Sequence, residues 1–281
     1  FRARQVMEMS LAQVQRRRAL FVISTRSGGT PHTNLDLMRA LENNWDCWLL
    51  TCDTKVLALS RLRAGDWEVV SSHELRDPVD PVTYDSHDYD SVVMDWLELH
   101  AFDVVHIRHL GWHSLALPRL ASISGAGVVM SFHDFHVVCP NIKLIDNDGY
   151  YCGGTCTSTP GQCAIELWPE NSMPPVKNNW VYYWRERYAQ ALSYCDAFVT
   201  TSQSARLTIM KNVPDLPEKR FQVVPHGRDF DVFIPPSVIN EHLDRSFRIL
   251  VPGNISKAKG RDIILSILDQ DKEGRLEFHI L

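Results

Sequence analysis

Two kinds of hydrophobic pattern alternate along the chain. Short, almost continuously apolar runs rich in β-branched and aromatic residues recur: ALFVIST (19–25), DCWLLTC (46–52), WEVVSS (67–72), DVVHIRHL (103–110), GVVMSFHD (127–134), AFVTTS (197–202), FQVVPHG (221–227), RILVPGN (248–254) and LEFHIL (276–281). Such runs suit strands covered on both faces. Between them lie segments with apolar residues at helical spacing, as in 33–43 with Leu35, Leu37, Met38 and Leu41, and likewise 91–99, 113–122, 179–194 and 202–212. Strand and helix in alternation predict an α/β fold with doubly wound, Rossmann-like parallel sheets.

The pattern breaks at 228–246, RDFDVFIPPSVINEHLDRS, where two adjacent prolines and several charges read as an interdomain connection. This gives a first domain over 19–227, a linker over 228–246 and the beginning of a second domain over 247–281. Residues 135–175 interrupt the first domain with Pro, Gly, Asn and four Cys and no clear period. A loop of that length inside a compact domain is usually functional or specially stabilised. Residues 1–18 read as a helix or linker ending in Arg16, Arg17 and Arg18, without the apolar core of a secretory signal. That basic end suits a solvated linker or a peripheral contact with anionic lipid headgroups. The start at Phe1 and the stop inside a strand lead us to expect a piece of a longer chain, with other domains of the parent as partners.

Composition narrows the classes. The chain has 281 residues, 29 Lys+Arg against 34 Asp+Glu, a formal charge of −5, and 44% hydrophobic and 22% charged residues. These values fit a globular protein and exclude a disordered chain, a collagen or a disulfide-built miniprotein. No apolar run is long enough to span a bilayer, and the acidic balance makes nucleic acid a poor partner.

Four motifs carry candidate chemistry. Ser27-Gly28-Gly29-Thr30 follows the first strand and opens a helix, where a backbone can approach an anion closely. The dinucleotide fingerprint G-x-G-x-x-G is absent, which sets a nicotinamide oxidoreductase aside. His133-Asp134 stands at the carboxyl end of a strand, the place where open α/β sheets bind ligands. His133 could hold a sugar hydroxyl, and Asp134 could orient it or act as a base. His106, His109 and His113 cluster near the end of the preceding strand and predict a polar crevice. Val224-Pro225-His226-Gly227, followed by Arg228, lies where the chain leaves the first domain. Finally, Gly253-Asn254-Ile255-Ser256-Lys257-Ala258-Lys259-Gly260 is a glycine turn with two lysines entering a helix, suited to a diphosphate.

In this order and spacing the four motifs resemble the GT-B glycosyltransferases of the large retaining family numbered four. The resemblance covers the chain from Ala19 onward and is strongest in SFHDFHVVCPNIKLIDNDGYYC, VVPHG and ILVPGNISKAKG. It implies a hexosyl transfer from a nucleoside diphosphate sugar to a glycan or lipid-linked acceptor, in polysaccharide or glycolipid biosynthesis, without a catalytic metal and in the cytoplasm. It matches Gly28 and Gly29 to the glycine loop, His133 to a donor-sugar contact close to the reacting carbon, and Lys259 to a diphosphate-binding lysine. Asn254 stands where relatives carry arginine, and Lys257 could substitute for it. The family's E-x7-E pair is expected beyond Leu281, so the chain as it stands is expected to be weak or inactive alone. An inactive GT-B module that binds a glycan or a partner, and a sugar-nucleotide epimerase, are the competing readings.

Of the seven cysteines, Cys47, Cys52 and Cys195 sit in apolar patterns and read as inert core residues. The other four, Cys139, Cys152, Cys156 and Cys163, form C-x12-C-x3-C-x6-C in the long loop. Four thiolates there could hold a structural, tetrahedral zinc. Reduced thiols and disulfides are the alternatives.

Overall fold

The computed structural model describes residues 16–280 apart from 25–27, 157–162, 164, 166, 175–176, 178, 226 and 228–245. Residues 1–15 of the expected helix or linker over 1–18, Ser27, His226, Arg228 and nearly all of the expected interdomain linker therefore lie outside the described residues, while Arg17 and Arg18 belong to the first strand.

The first unit is an eight-stranded sheet. Its strands are β1 (Arg17–Ile23), β2 (Trp45–Cys52), β3 (Val56–Arg63), β4 (Asp66–Glu74), β5 (Val104–Ile107), β6 (Gly127–Phe132), β7 (Ala197–Thr200) and β8 (Phe221–Val223). Their spatial order is β4-β3-β2-β1-β5-β6-β7-β8. The six strands from β2 to β8 in that row run parallel. These six strands form the doubly wound parallel sheet that the alternating pattern predicts. β3 and β4 are antiparallel additions made by successive hairpins. β3 was absent from the sequence reading altogether. Its segment VLALSRLR buries Leu57, Leu59 and Leu62 but carries Arg61 and Arg63, so it lacks the continuous apolar run of its neighbours.

Helices cover the two faces unequally. α1 (Gly29–Leu41) packs through Met38 on Ala19 and Phe21 of β1, Cys47 of β2 and Leu62 of β3. α2 (His87–His100), α3 (Leu117–Ile123), α4 (Asn179–Leu192) and α5 (Gln203–Asn212) contribute to the larger core on the opposite face, with Val93, Leu120, Trp184 and Ile209 buried there. α2 starts at Ser86, whose hydroxyl accepts from the Tyr89 amide, and carries Asp88 and Asp90 in its first turn. Both features stabilise a helix N-terminus. Because α1 is alone on its face, that face stays open on both of its flanks.

The long loop is anchored to this core. Val137, Val138, Cys139, Leu144, Trp168 and Met173 are all buried in the larger core. The Trp168 indole donates to the Tyr84 hydroxyl at 2.6 Å, and the rings meet edge-on at 5.8 Å.

The second unit pairs β9 (Phe247–Val251) with β10 (Leu276–Ile280) in parallel, linked by α6 (Arg261–Gln270). Its apolar residues stay open: Leu250 is 59% and Ile263 66% exposed. Two strands and a helix are too little to bury such faces. Among the described residues no helix is long and apolar enough to cross a membrane.

Candidate active site

Chain order places β1 in the middle of the sheet, with β2 on one side and β5 on the other. Strand order reverses there, and in open α/β sheets ligands bind outside the carboxyl ends of the strands at such a point. A cleft of about 530 Å3 lies there, on the flank of α1 toward β5–β8. His106 and Arg108 of the β5 end, Ser131 and His133 of the β6 end, and Val199 and Thr201 of the β7 end line it. Each pair is two residues apart, so the period of two in a strand points both members at the same face. Thr33 and Asp36 of α1 form the facing wall, and Val224, Pro225 and Gly227 line the cleft after β8.

At the mouth of α1, Gly28 has φ 97° and ψ −170°, a conformation open essentially to glycine alone. A Cβ on Gly28 or Gly29 would meet no atom within 4 Å. The glycines therefore serve the turn and leave room for a ligand.

The histidines divide sharply. His133 lines the cleft. His106 lines it too, with Nε2 2.7 Å from the Ser131 hydroxyl, and burial together with the Arg108 charge pushes it down to about 3, keeping the ring neutral. His109 and His113 are not among the cleft's lining residues. His113 is fully buried, donating from Nε2 to the Ile23 carbonyl at 2.9 Å with Nδ1 2.7 Å from the Tyr89 hydroxyl. It ties β1 to α2, so the crevice expected of all three histidines is built by one of them.

His109 holds Asp134. Its Nδ1 accepts from the Gly111 amide at 2.8 Å and meets the Ser24 hydroxyl at 2.7 Å, while Nε2 faces Asp134 Oδ2 at 3.1 Å. A Cβ on Gly111 would fall 2.9 Å from the His109 ring, so only glycine permits this approach. Asp134 Oδ1 accepts from the His136 amide at 2.9 Å. Burial pushes the Asp134 carboxyl up, but the hydrogen-bonded His109 ring and the His136 amide outweigh it and bring it to about 2. A carboxylate engaged on both oxygens is a weak base, and its geometry suits orienting the strand end that carries His133.

Sequence reasoning missed Arg108, Thr33, Asp36 and Ser131. The available signal was parity: Arg108 stands two residues after His106, and Ser131 two before His133.

In the second unit, Lys257 and Lys259 lie in a single 3-10 turn before α6, and Lys259 Nζ would be 3.9 Å from a Cβ on Gly253. The turn thus folds Lys259 beside Gly253, while the Lys257 side chain lies against Gly149. Lys257 Nζ also donates to the Asp148 carbonyl at 3.3 Å.

All four loop cysteines, Cys139, Cys152, Cys156 and Cys163, line one small cavity with Lys177 and Arg185. Among the described residues no disulfide joins them, and no group of three or more His, Cys, Asp or Glu side chains is drawn close enough to hold a metal ion. Burial pushes Cys139 up to about 12. Cys47 and Cys52 rise to about 11 and Cys195 to about 12 for the same reason, in keeping with core thiols.

No curated protein matches the chain. Among solved structures it is similar to HepE from Anabaena in complex with UDP-glucose, at 10% identity over 94% of this chain and 60% of that one, TM-score 0.48. It is also similar to the lipopolysaccharide outer core galactosyltransferase WaaB, at 11% identity over 94% and 60%, TM-score 0.46. Sucrose-phosphate synthase from Thermosynechococcus elongatus follows at 12% identity over 94% and 70%, TM-score 0.46. The chain spans about 60% of the length of the first two. The family description Glycosyltransferase Family 4 matches residues 27–232, most of the chain. The chain belongs to glycosyltransferase family 4.

Proposed function

We propose that this chain supplies the acceptor-side domain, and the first unit of the donor-side domain, of a retaining hexosyltransferase. It moves a sugar from a nucleoside diphosphate sugar to a glycan or lipid-linked acceptor in polysaccharide or glycolipid assembly. The observation that carries the reading is the cleft at the carboxyl ends of β5–β8, with His133 on its wall and an open glycine turn at the start of α1.

In this reading the acceptor hydroxyl oxygen bonds to the anomeric carbon as the bond from that carbon to the diphosphate oxygen breaks. The acceptor proton passes to the departing diphosphate, and the configuration is retained. Lys257 and Lys259, together with the turn at Gly253, stabilise the charge that develops on the diphosphate. His133 positions the donor sugar, and Asp134 orients the strand end that carries it. His226 and Arg228 would complete the cleft where the chain leaves the first domain. On the other flank of α1, a groove of about 460 Å3 lined by Leu35, Leu49, Trp67 and Val69 would accommodate the apolar part of a lipid-linked acceptor.

The cysteine cavity has a structural role here. Four thiols around one space match the donor set of a tetrahedral zinc, and Lys177 and Arg185 would offset its double negative charge. The thiols would close in on the ion. The enzyme works in the cytoplasm.

The test uses the full-length protein and a panel of nucleoside diphosphate sugars, with donor binding followed by calorimetry and transfer by released nucleotide. His133→Ala should lower transfer about 100-fold, the scale expected when a reacting group is misplaced, without a change in melting temperature. Transfer at the wild-type rate would remove His133 from the site. A folded full-length protein that binds no donor would instead be an inactive glycan-binding module, a reading that Asn254 in the arginine position favours.

A further inference from the structure

Among the described residues Arg108 is a buried cation with no acid beside it. It is 6% exposed, at the end of β5, and it lines the cleft. One terminal nitrogen donates to the Thr33 hydroxyl at 3.0 Å. Its Nε is buried and has no hydrogen-bond partner. Burial is the only influence resolved on the guanidinium, drawing it down to about 10, and among the described residues no carboxylate counters that shift. Asp36 stands on the facing wall of the same cleft.

Three half-buried arginines of the domain are paired with acids, and the buried Arg185 donates to the Val138 and Gly154 carbonyls. Arg61 grips Asp46 through two hydrogen bonds of 2.6 and 2.7 Å. Arg187 reaches Asp85 at 2.9 Å, and Arg206 reaches Glu218 at 3.0 Å. Removing a guanidinium from water without a counter-charge is unfavourable. His106, on the same wall of the cleft, is neutral and offers no compensation. A fixed positive charge with an unused donor, facing a cleft, matches the flat two-oxygen edge of a carboxylate or phosphate.

We propose that Arg108, with the Thr33 hydroxyl beside it, binds a carboxylate or phosphate on the acceptor, so that the acceptor of this enzyme is an anion. The word acceptor rests on the transferase reading above. The anion site itself does not. The diphosphate of the donor has its own cations in Lys257 and Lys259, whereas Arg108 belongs to the domain assigned to the acceptor.

The experiment compares the full-length wild type with Arg108→Gln and Arg108→Lys by calorimetry. The probes are inorganic phosphate, glucuronate and UDP, and melting is followed in anion-free buffer. Arg108→Gln should weaken phosphate or glucuronate binding at least 10-fold, Arg108→Lys should retain part of it, and UDP affinity should change less than twofold. Preference for phosphate indicates a phosphorylated acceptor, and preference for glucuronate an acidic sugar. Arg108→Gln should also melt at or above the wild-type temperature, because it removes an uncompensated buried charge. A structural arginine would do the reverse, and a lower melting temperature with unchanged anion binding would overturn the proposal. So would a parallel fall in UDP affinity, which would make Arg108 a donor contact. Arg108-dependent anion binding in a protein that releases no nucleotide from any donor sugar would keep the anion site and remove its assignment to an acceptor.

Discussion

His106, His113 and His136 are all held neutral by burial, at about 3, 4 and 3 respectively, against an ordinary value near 6.5. Their native values lie below their unfolded ones, so between about pH 6.5 and 4 the unfolded chain binds protons that the native chain refuses. Stability is therefore complete above pH 6.5 and falls as the pH drops through that window. Three such groups give a slope of at most about 4 kcal/mol per pH unit. Urea unfolding at pH 7, 6 and 5 should show a falling midpoint, with proton uptake on unfolding approaching three. A flat profile would mean that all three rings take up protons in the fold. The sequence marked His106, His109, His113 and His133 alike as polar residues at strand ends. What separates them is depth, and depth depends on which helix covers which face, information that a strand carries only through its neighbours. Arg108 escaped for the opposite reason, since an arginine ending a strand looks like an ordinary solvated charge until α1 is placed over it.

At the scale of elements, the long loop was legible as an insertion but not as a buried one. Its anchor is Trp168, 9% exposed, in edge-on contact with Tyr84. Tyr84 in turn sits 3.1 Å from His136 Nε2. Trp168→Ala should cost about 3 to 5 kcal/mol, the usual range for a buried tryptophan, and should open 140–174 to limited proteolysis. Cleavage resistance equal to the wild type would show that the cysteine cavity holds the loop alone. That cavity has its own test: purified protein should carry one zinc per chain, and a chelator should lower its melting temperature. Four titratable thiols without metal would leave them simply reduced. The hairpin of β3 and β4 was harder to read. Two of its strands follow β2 through tight turns, one at Asp53–Lys55 and one at Ala64–Gly65. β4 exposes Trp67 and Val69 at 42% and 65%, so its apolar residues are not a signal of burial.

Over the whole molecule, the parallel alternation from β5 to β8 could be read from period and composition. The order of strands could not, because nothing local in ALFVI says that this segment will be central. Its centrality follows from the two later decisions of the chain, to add β2–β4 on one side and β5–β8 on the other. The same placement puts α1 between two open grooves on a single face.

That placement also has a consequence for biogenesis. Of the strands of this sheet, β1 leaves the ribosome first, and it is enclosed on both sides at the end, with Leu20, Phe21 and Val22 at 2% exposure or less. Its β2 side is satisfied almost at once, but its β5 side must wait until Ile107 has been made, 84 residues after Ile23. At translation rates of about 5 to 20 residues per second, the nascent chain carries a bare, strongly apolar strand edge for about 4 to 17 s. During that interval the future centre of the sheet is an outer edge, open to chaperones and to other nascent chains.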